Sequence, residues 1–180
     1  LSLSYSITHP NRCKGLILRG IFLIREKEIN WFYQEGTSYI YPDAWEKYLA
    51  PIPEDERDNL VKAYYKRLTS DDKKIRIEAA KAWSIWEAST SKLYTSNKSL
   101  HHFGDPVVAE AFARIECHYF INKGFFKSDN WLLDNTHKIT HIPTVIVQGR
   151  YDVVCPMISA WELHQCLPDA DFHVIQDSGH

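Results

Sequence analysis

The chain has 180 residues, of which 44% are hydrophobic and 24% are charged, and its formal net charge is -2. This composition predicts one globular domain with a sizeable core and excludes a disordered chain. The near-neutral charge lacks the basic face that nucleic-acid binding needs, so we expect no nucleic-acid partner. No apolar run approaches the ~20 residues that span a bilayer, and no basic-then-apolar signal sequence opens the chain, so we expect no membrane association.

The cysteines indicate a cellular compartment. Four are present, none of them in a C-x-x-C pair: Cys13, Cys117, Cys155 and Cys166. A chain of this size needs no disulfide to stabilise its core, so these residues are predicted to be free thiols in a reducing environment. We therefore expect a cytoplasmic protein.

The first elements of the chain are short. The opening LSLSYSITHP alternates apolar and polar residues, which fits a strand, although a helix that ends before Pro10 fits equally well. The next run, 14–20, places apolar residues between glycines and predicts a strand buried on both faces.

A long middle segment follows, and it is helical wherever a period can be recognised. Helices are predicted at 54–68, 71–90 and 106–122. Asp71 and Asp105 are the expected N-caps of the last two, and Gly124 is the expected left-handed C-cap. This segment is also rich in aromatic residues, which indicates either a large packed core or a pocket built from rings.

The last 40 residues change pattern. Strands are predicted at 143–149 and 170–176, with a helix at 157–166 between them. Strand, helix and strand at this spacing form a βαβ unit, which requires a parallel sheet. The chain is therefore predicted to be α/β, with residues 1–23 and 137–180 in the sheet-containing core and residues 24–136 forming a helical insertion.

Polar side chains follow the last two predicted strands. Asp152 comes three residues after Gly149, and His180 follows the final strand. Function in parallel sheets gathers at the carboxyl ends of strands, and Asp followed by His is the partner order of an α/β-hydrolase triad. The alternative is that Asp152 caps the next helix and His180 is a surface turn residue. The pair in this order favours the triad.

Several long stretches resemble the proline iminopeptidases, a branch of the α/β-hydrolases. They are LSLSYSITHP, GLILRGIF, EINWFYQEGTSYIYPDAWE, AKAWSIWE, FARIECHYF, IPTVIVQGRYDVVCP and DSGH. The resemblance implies the C-terminal half of a mainly parallel α/β-hydrolase sheet with an inserted helical cap domain. It also implies a serine-type aminopeptidase that releases N-terminal proline from peptides through an acyl-enzyme, without a cofactor or metal.

The resemblance also locates the nucleophile outside this sequence. In the family, Leu1 would lie just after the turn that carries the catalytic serine, and the 180 residues contain no G-x-S-x-G. The chain begins without Met and ends directly after a strand-like run, which predicts a segment of a longer protein. We expect these 180 residues to be inactive by themselves.

The resemblance assigns roles to seven residues. Asp152 would orient the catalytic base His180. Five others would bind the substrate: Glu87 and Glu116 at its amino end, with Arg19 nearby, and Phe22 and Phe120 around the proline ring.

Helical spacing places both glutamates on apolar faces of their predicted helices. Glu87 falls on the same side of its predicted helix as Trp83, and Glu116 is spaced by four from Phe112 and Phe120. A carboxylate on an apolar face is costly unless it is paired. The partner is either an internal arginine, such as Arg114, Arg76 or Arg19, or the ammonium group of a ligand.

Other candidates are weaker. Cys155 is expected near the triad, as a packed residue without a catalytic role. His137 and His141 lack the intervening glutamate of a zinc-protease helix, so no metal site is predicted. Three rival interpretations remain open: another α/β-hydrolase, such as an esterase or a dehalogenase-like enzyme, a non-catalytic relative used for binding, and a structural α/β domain without a site.

Overall fold

The computed structural model describes residues 1–180. Three parallel strands form one sheet in the order β1–β2–β3: β1 (Leu16–Arg19), β2 (Thr144–Gly149) and β3 (Asp171–Ile175). The α-helices are α1 (Ser2–Thr8), α2 (Glu26–Tyr33), α3 (Pro42–Leu49), α4 (Leu60–Leu68), α5 (Lys73–Thr90), α6 (Asn97–Phe103), α7 (Pro106–Ile121), α8 (Trp131–Asp134) and α9 (Met157–Cys166). Short 3-10 helices lie at Pro10–Arg12, Thr37–Tyr39, Glu54–Asn59, Lys123–Phe125 and Thr136–Lys138. None of the helices is long and apolar enough to cross a bilayer.

The chain divides into two compact units. The sheet unit comprises Leu1–Arg25 and Phe126–His180, and the helical unit comprises Glu26–Phe125. Residues 126–136, which the sequence places in the insertion, belong to the sheet unit because their apolar side chains contribute to its core. Leu132 is a member of the hydrophobic cluster of that unit, and the stacked rings of Phe126 and Trp131 pack against it. The assignment of 24–136 as an inserted domain stays a prediction.

The sheet unit contains the predicted βαβ arrangement. β2 pairs in parallel with both β1 and β3, and Leu18 lies opposite Ile146 in the register. Ile146 is fully buried together with Leu163 of α9, and both belong to the hydrophobic cluster. Because the strands are parallel, their carboxyl ends lie at the same edge of the sheet.

Within these 180 residues, β1 is not buried on both faces as expected. Leu18 is buried, but its neighbour Ile17 is 82% exposed. β1 lies at the edge of the sheet, and its side chains alternate between the hydrophobic cluster and solvent. A short apolar run does not distinguish one-sided from two-sided burial.

The first residues form the helix α1, one of the two alternatives open from the sequence. Leu3 and Ile7, four residues apart, are its buried apolar side chains. This spacing is that of one helix face. The strand alternative is therefore excluded.

The helix ends agree with the predictions except at three places. Asp105 caps α7 by accepting hydrogen bonds from two backbone N–H groups, as predicted. Gly124 has the expected left-handed φ of 62°, but it lies in the next 3-10 helix, and the C-cap of α7 is Asn122. The cap of α5, however, is Asp72 rather than Asp71, and its side chain accepts from the N–H of Lys74. Residues 54–59 form a 3-10 helix, so that α4 begins only at Leu60.

The helical unit packs around α5, which contacts α3, α4, α6 and α7. The largest buried side chains of its core are aromatic rings. The Tyr33 ring stacks on Trp83 at 4.3 Å between centroids, and Tyr48 stacks on Tyr64 at 4.7 Å. Aromatic side chains provide large buried areas and extra ring–ring attraction of roughly 0.5–1.5 kcal/mol per pair. The aromatic-rich middle therefore forms a packed core.

Candidate active site

Asp152 lies in the turn between β2 and α9, and it is only 5% exposed. Its Oδ1 accepts hydrogen bonds from the backbone N–H groups of Val154, at 3.0 Å, and Cys155, at 2.7 Å. The N-cap of α9 is Pro156, without a side-chain cap, so Asp152 does not cap that helix. Its carboxylate is fixed by the turn and keeps Oδ2 for another partner.

That partner is His180. Its Nδ1 lies 3.0 Å from Asp152 Oδ2, and the imidazole side chain is 32% exposed. A carboxylate at Nδ1 fixes the tautomer in which Nε2 accepts a proton, and it stabilises the imidazolium that results. The structure therefore brings together the two residues that the sequence predicts as orienting acid and general base.

Sequence reasoning missed a residue that supports this pair. Gln148 is fully buried at the end of β2, and its Nε2 donates to the carbonyl of Cys155 at 2.8 Å. The same nitrogen lies 3.4 Å from Asp152 Oδ2. The amide thus contacts both the Asp152 carboxylate and the backbone of the turn that holds it. The available clue was a long polar side chain at the end of a strand that is mostly apolar.

Two glycines make room for the segment that carries His180. A Cβ at Gly149 would overlap the carbonyl oxygen of Gly179 and would lie 2.6 Å from that of Ser178. Gly20, with a φ of +56°, lies so close to His180 that a Cβ there would be 2.9 Å from its Cε1. Both glycines end a strand run in the sequence, but their role in placing His180 was not predicted.

Glu87 occupies the apolar face of α5, as predicted, and is 7% exposed. The Tyr33 hydroxyl donates a hydrogen bond to its Oε1. Burial, followed by the charge of Glu116, raises the pKa of Glu87 well above the usual range of a carboxyl group, and the hydrogen bond from Tyr33 opposes this shift. Tyr33, buried and beside two acidic groups, has a raised pKa and remains a donor.

Glu116 is half-buried on α7 and accepts a hydrogen bond from Trp83 Nε1 at 3.0 Å. Because Trp83 also stacks on Tyr33, one ring pair holds both carboxylates of the helical unit. Tyr33 and Trp83 were not predicted in this role. Two arginines that the sequence offered as internal partners, Arg76 and Arg114, both form ion pairs with Glu110.

The other predicted site residues divide between the two units. Phe120 is buried in the helical unit, with its ring 5.2 Å from that of Tyr33. Arg19 and the partly buried Phe22 both line a cavity of about 230 Å³ in the sheet unit. Their roles toward a substrate stay predictions.

The fold, together with Asp152 and His180 at the carboxyl ends of the strands, defines the class of the protein. A family model described as alpha/beta hydrolase fold matches residues 1–180, and the chain belongs to this family. The predicted α/β-hydrolase fold is confirmed. A crystal structure of a candidate lipase from Acinetobacter baumannii has the same fold, with a TM-score of 0.52 and 16% sequence identity over 99% of this chain and 50% of that one.

Within the family, the chain is similar to proteins named as proline iminopeptidases, as the sequence predicts. It is 64% identical over 180 residues to the "Probable proline iminopeptidase" of Leptolyngbya boryana, covering 100% of this chain and 56% of that protein. The identity is 55% to the proline iminopeptidase of Arabidopsis thaliana, over 100% of this chain and 48% of that protein. The identity to the proline iminopeptidase of Xylella fastidiosa strain 9a5c is 50%, over 100% of this chain and 58% of that protein. The chain spans about half the length of these relatives.

Proposed function

We propose that the full-length protein is a serine-type aminopeptidase that releases N-terminal proline from peptides. The observation that carries this proposal is the hydrogen-bonding distance of 3.0 Å between His180 Nδ1 and the buried carboxylate of Asp152. The whole-chain similarity to proline iminopeptidases supports the choice of substrate.

In this proposal, His180 is the general base. Its Nε2 takes the proton of a serine hydroxyl as the serine attacks the scissile carbonyl, and later gives a proton to the leaving amine. Asp152 keeps the ring in the required tautomer and stabilises the imidazolium. The serine comes from outside these residues, which contain no G-x-S-x-G. Water then hydrolyses the acyl-enzyme, so no cofactor or metal enters the cycle.

The substrate preference is assigned to the helical unit. A free N-terminal amine is cationic, and the two carboxylates of Glu87 and Glu116 supply the negative charge that would bind it. The charge of Glu116 disfavours ionisation of Glu87, and an ammonium group would relieve this repulsion. Phe120 of the helical unit is proposed to offer an apolar ring to the pyrrolidine side chain, and substrate-binding roles are proposed separately for Phe22 and Arg19 of the sheet unit.

We also propose a cytoplasmic location. None of the four cysteines forms a disulfide in the structure. Cysteines outside disulfides are typical of proteins that function in a reducing compartment.

The decisive experiment is hydrolysis of proline amide, alanine amide and a simple acyl ester by the full-length protein. Wild type, Glu87→Gln and Glu116→Gln are compared, with Glu78→Gln as a control on the exposed face of α5. We expect preferential cleavage of proline amide. The site variants should lose roughly 10–100-fold in kcat/KM on the amide, as expected for a lost charged hydrogen bond, and keep the ester activity.

Cleavage of the ester alone, with both site variants equal to wild type, would leave the hydrolase class intact and overturn the aminopeptidase assignment. Absence of hydrolysis of any of the three compounds would favour a non-catalytic relative.

A further inference from the structure

Three side chains with different metal-binding atoms converge at the carboxyl ends of β2 and β3. They are the Asp152 carboxylate, the Cys155 thiol and the His180 imidazole, and one donor atom from each lies within 4.8 Å of the other two. Asp152 Oδ2 and His180 Nδ1 lie 3.0 Å apart. In a tetrahedral zinc site with bonds of ~2.0–2.3 Å, ligand atoms are separated by roughly 3.3–3.8 Å. One ion therefore fits among these donors after small adjustments.

Two of the donors are held in place before any ion arrives. Asp152 Oδ1 is fixed by the N–H groups of Val154 and Cys155, which leaves Oδ2 to face His180. Cys155 is itself buried, and the same carboxylate holds its backbone. The His180 side chain, 32% exposed, provides the route from solvent.

We propose that Asp152 Oδ2, Cys155 Sγ and His180 Nδ1 form a reversible inhibitory site for a thiophilic divalent cation of the Zn²⁺ type. The donor set decides the class of ion. Thiolate and imidazole ligands favour zinc-like metals, whereas Mg²⁺ and Ca²⁺ require oxygen donors. Three protein ligands also leave the fourth tetrahedral position to a water molecule.

Binding involves no redox step. Bonds form from the metal to oxygen, nitrogen and sulfur, and the thiol proton is released to solvent. The single proton of the neutral imidazole leaves Nδ1 and is replaced by one at Nε2, so the ring stays neutral. The hydrogen bond between Asp152 and His180 is replaced by bonds to the metal. His180 can then no longer become an imidazolium oriented by Asp152, and hydrolysis should stop until a chelator removes the ion.

The alternative is that Cys155 is only a small packed residue. Both interpretations place a buried thiol beside Asp152 and His180. Only the metal site requires the sulfur to contribute to the affinity for Zn²⁺. Cys166, half-buried in α9 and outside the cluster, is a matched control for the removal of a thiol.

The test uses the full-length protein after chelator treatment. Zn²⁺ binding is measured directly by competition with a chromogenic chelator for wild type, Cys155→Ala and Cys166→Ala, and Co²⁺ is used to detect a thiolate-to-metal absorption band. Mutation of a residue that only hydrogen-bonds to a metal ligand costs roughly 10–100-fold in affinity, so loss of a ligand itself should weaken binding by at least about tenfold. We expect this loss, and loss of the Co²⁺ band, in Cys155→Ala and in neither of the other two proteins.

Equal Zn²⁺ affinity in wild type and Cys155→Ala, or a Co²⁺ complex without a thiolate band, would overturn the site. Zn²⁺ binding that leaves hydrolysis unchanged would overturn its inhibitory character. If Cys155→Ala does not fold, Cys155→Ser replaces it, with thermal unfolding as the check. Because metal binding is measured without turnover, failure of the proposed aminopeptidase activity would be seen separately.

Discussion

The two units hold their key carboxylates by different means. In the sheet unit, backbone N–H groups of a single turn fix Asp152, and glycines at strand ends make room for His180. In the helical unit, the side chains of Tyr33 and Trp83 hold Glu87 and Glu116. The first arrangement depends on chain topology and the second on packing. Substitutions should therefore affect chemistry in the sheet unit, and charge balance and stability in the helical unit.

The largest effect is expected from Asp152→Asn. The amide keeps an oxygen for the two backbone N–H groups, so the fold should persist. The tautomer and the charge at Nδ1 of His180 are lost, however, and kcat on proline amide should fall by about 10⁴-fold. Steady-state kinetics of the full-length protein measure this loss.

Asp169→Asn, at an exposed position of the sheet unit, is the control and should behave as wild type. A kcat for Asp152→Asn within about tenfold of wild type would mean that the carboxylate does not orient the base.

A smaller loss is expected from Gly149→Ala, which tests whether the backbone positions His180. The added methyl group would overlap the carbonyl oxygens of Gly179 and Ser178, so the segment must shift. Displacement of a catalytic group by about 1 Å can cost 10²-fold in rate, and we expect a loss of kcat/KM of this size. Gly15→Ala, where the nearest atom would be at 3.5 Å, should have little effect. Equal activities of the two variants would contradict the role of the close approach.

The third prediction concerns the helical unit and the pH dependence of stability. The folded-state pKa of Glu87 is raised above the ordinary value of 4.5, so the folded state keeps this proton at pH values where the unfolded chain has lost it. Stability therefore falls as pH rises from about 4.5 toward the folded pKa, with a slope that approaches about 1.4 kcal/mol per pH unit. Glu87→Gln removes this loss, so its free energy of unfolding relative to wild type should increase with pH.

Urea unfolding followed by circular dichroism between pH 4 and pH 8 would measure the difference. Glu78→Gln lies on the exposed face of the same helix and should show no such trend. If both variants depend on pH in the same way, burial of Glu87 does not control its ionisation in the folded state.

The contrast between topology in the sheet unit and packing in the helical unit also explains which features the sequence could predict. Asp152 and His180 follow recognisable strands, and the parallel βαβ order alone brings strand ends together. Glu87 was placed on an apolar face by helical period. Its donor Tyr33 is 54 positions away, and no local pattern reveals such a contact. The close approaches of Gly20 and Gly149 to the last residues of the chain were missed for the same reason. These contacts depend on where that segment lies in the fold, which no local pattern reveals.

The fluorescent side chains are distributed unevenly between the two units. Four of the six tryptophans lie in that unit: Trp31, Trp45, Trp83 and Trp86. Tyr33 and Tyr64 have their rings 4.3 Å and 5.3 Å from Trp83. Light absorbed by these tyrosines should pass to Trp83 and be emitted there, in a water-free environment. Intrinsic fluorescence will therefore report chiefly on the helical unit, and opening of its core should appear as a red shift in emission.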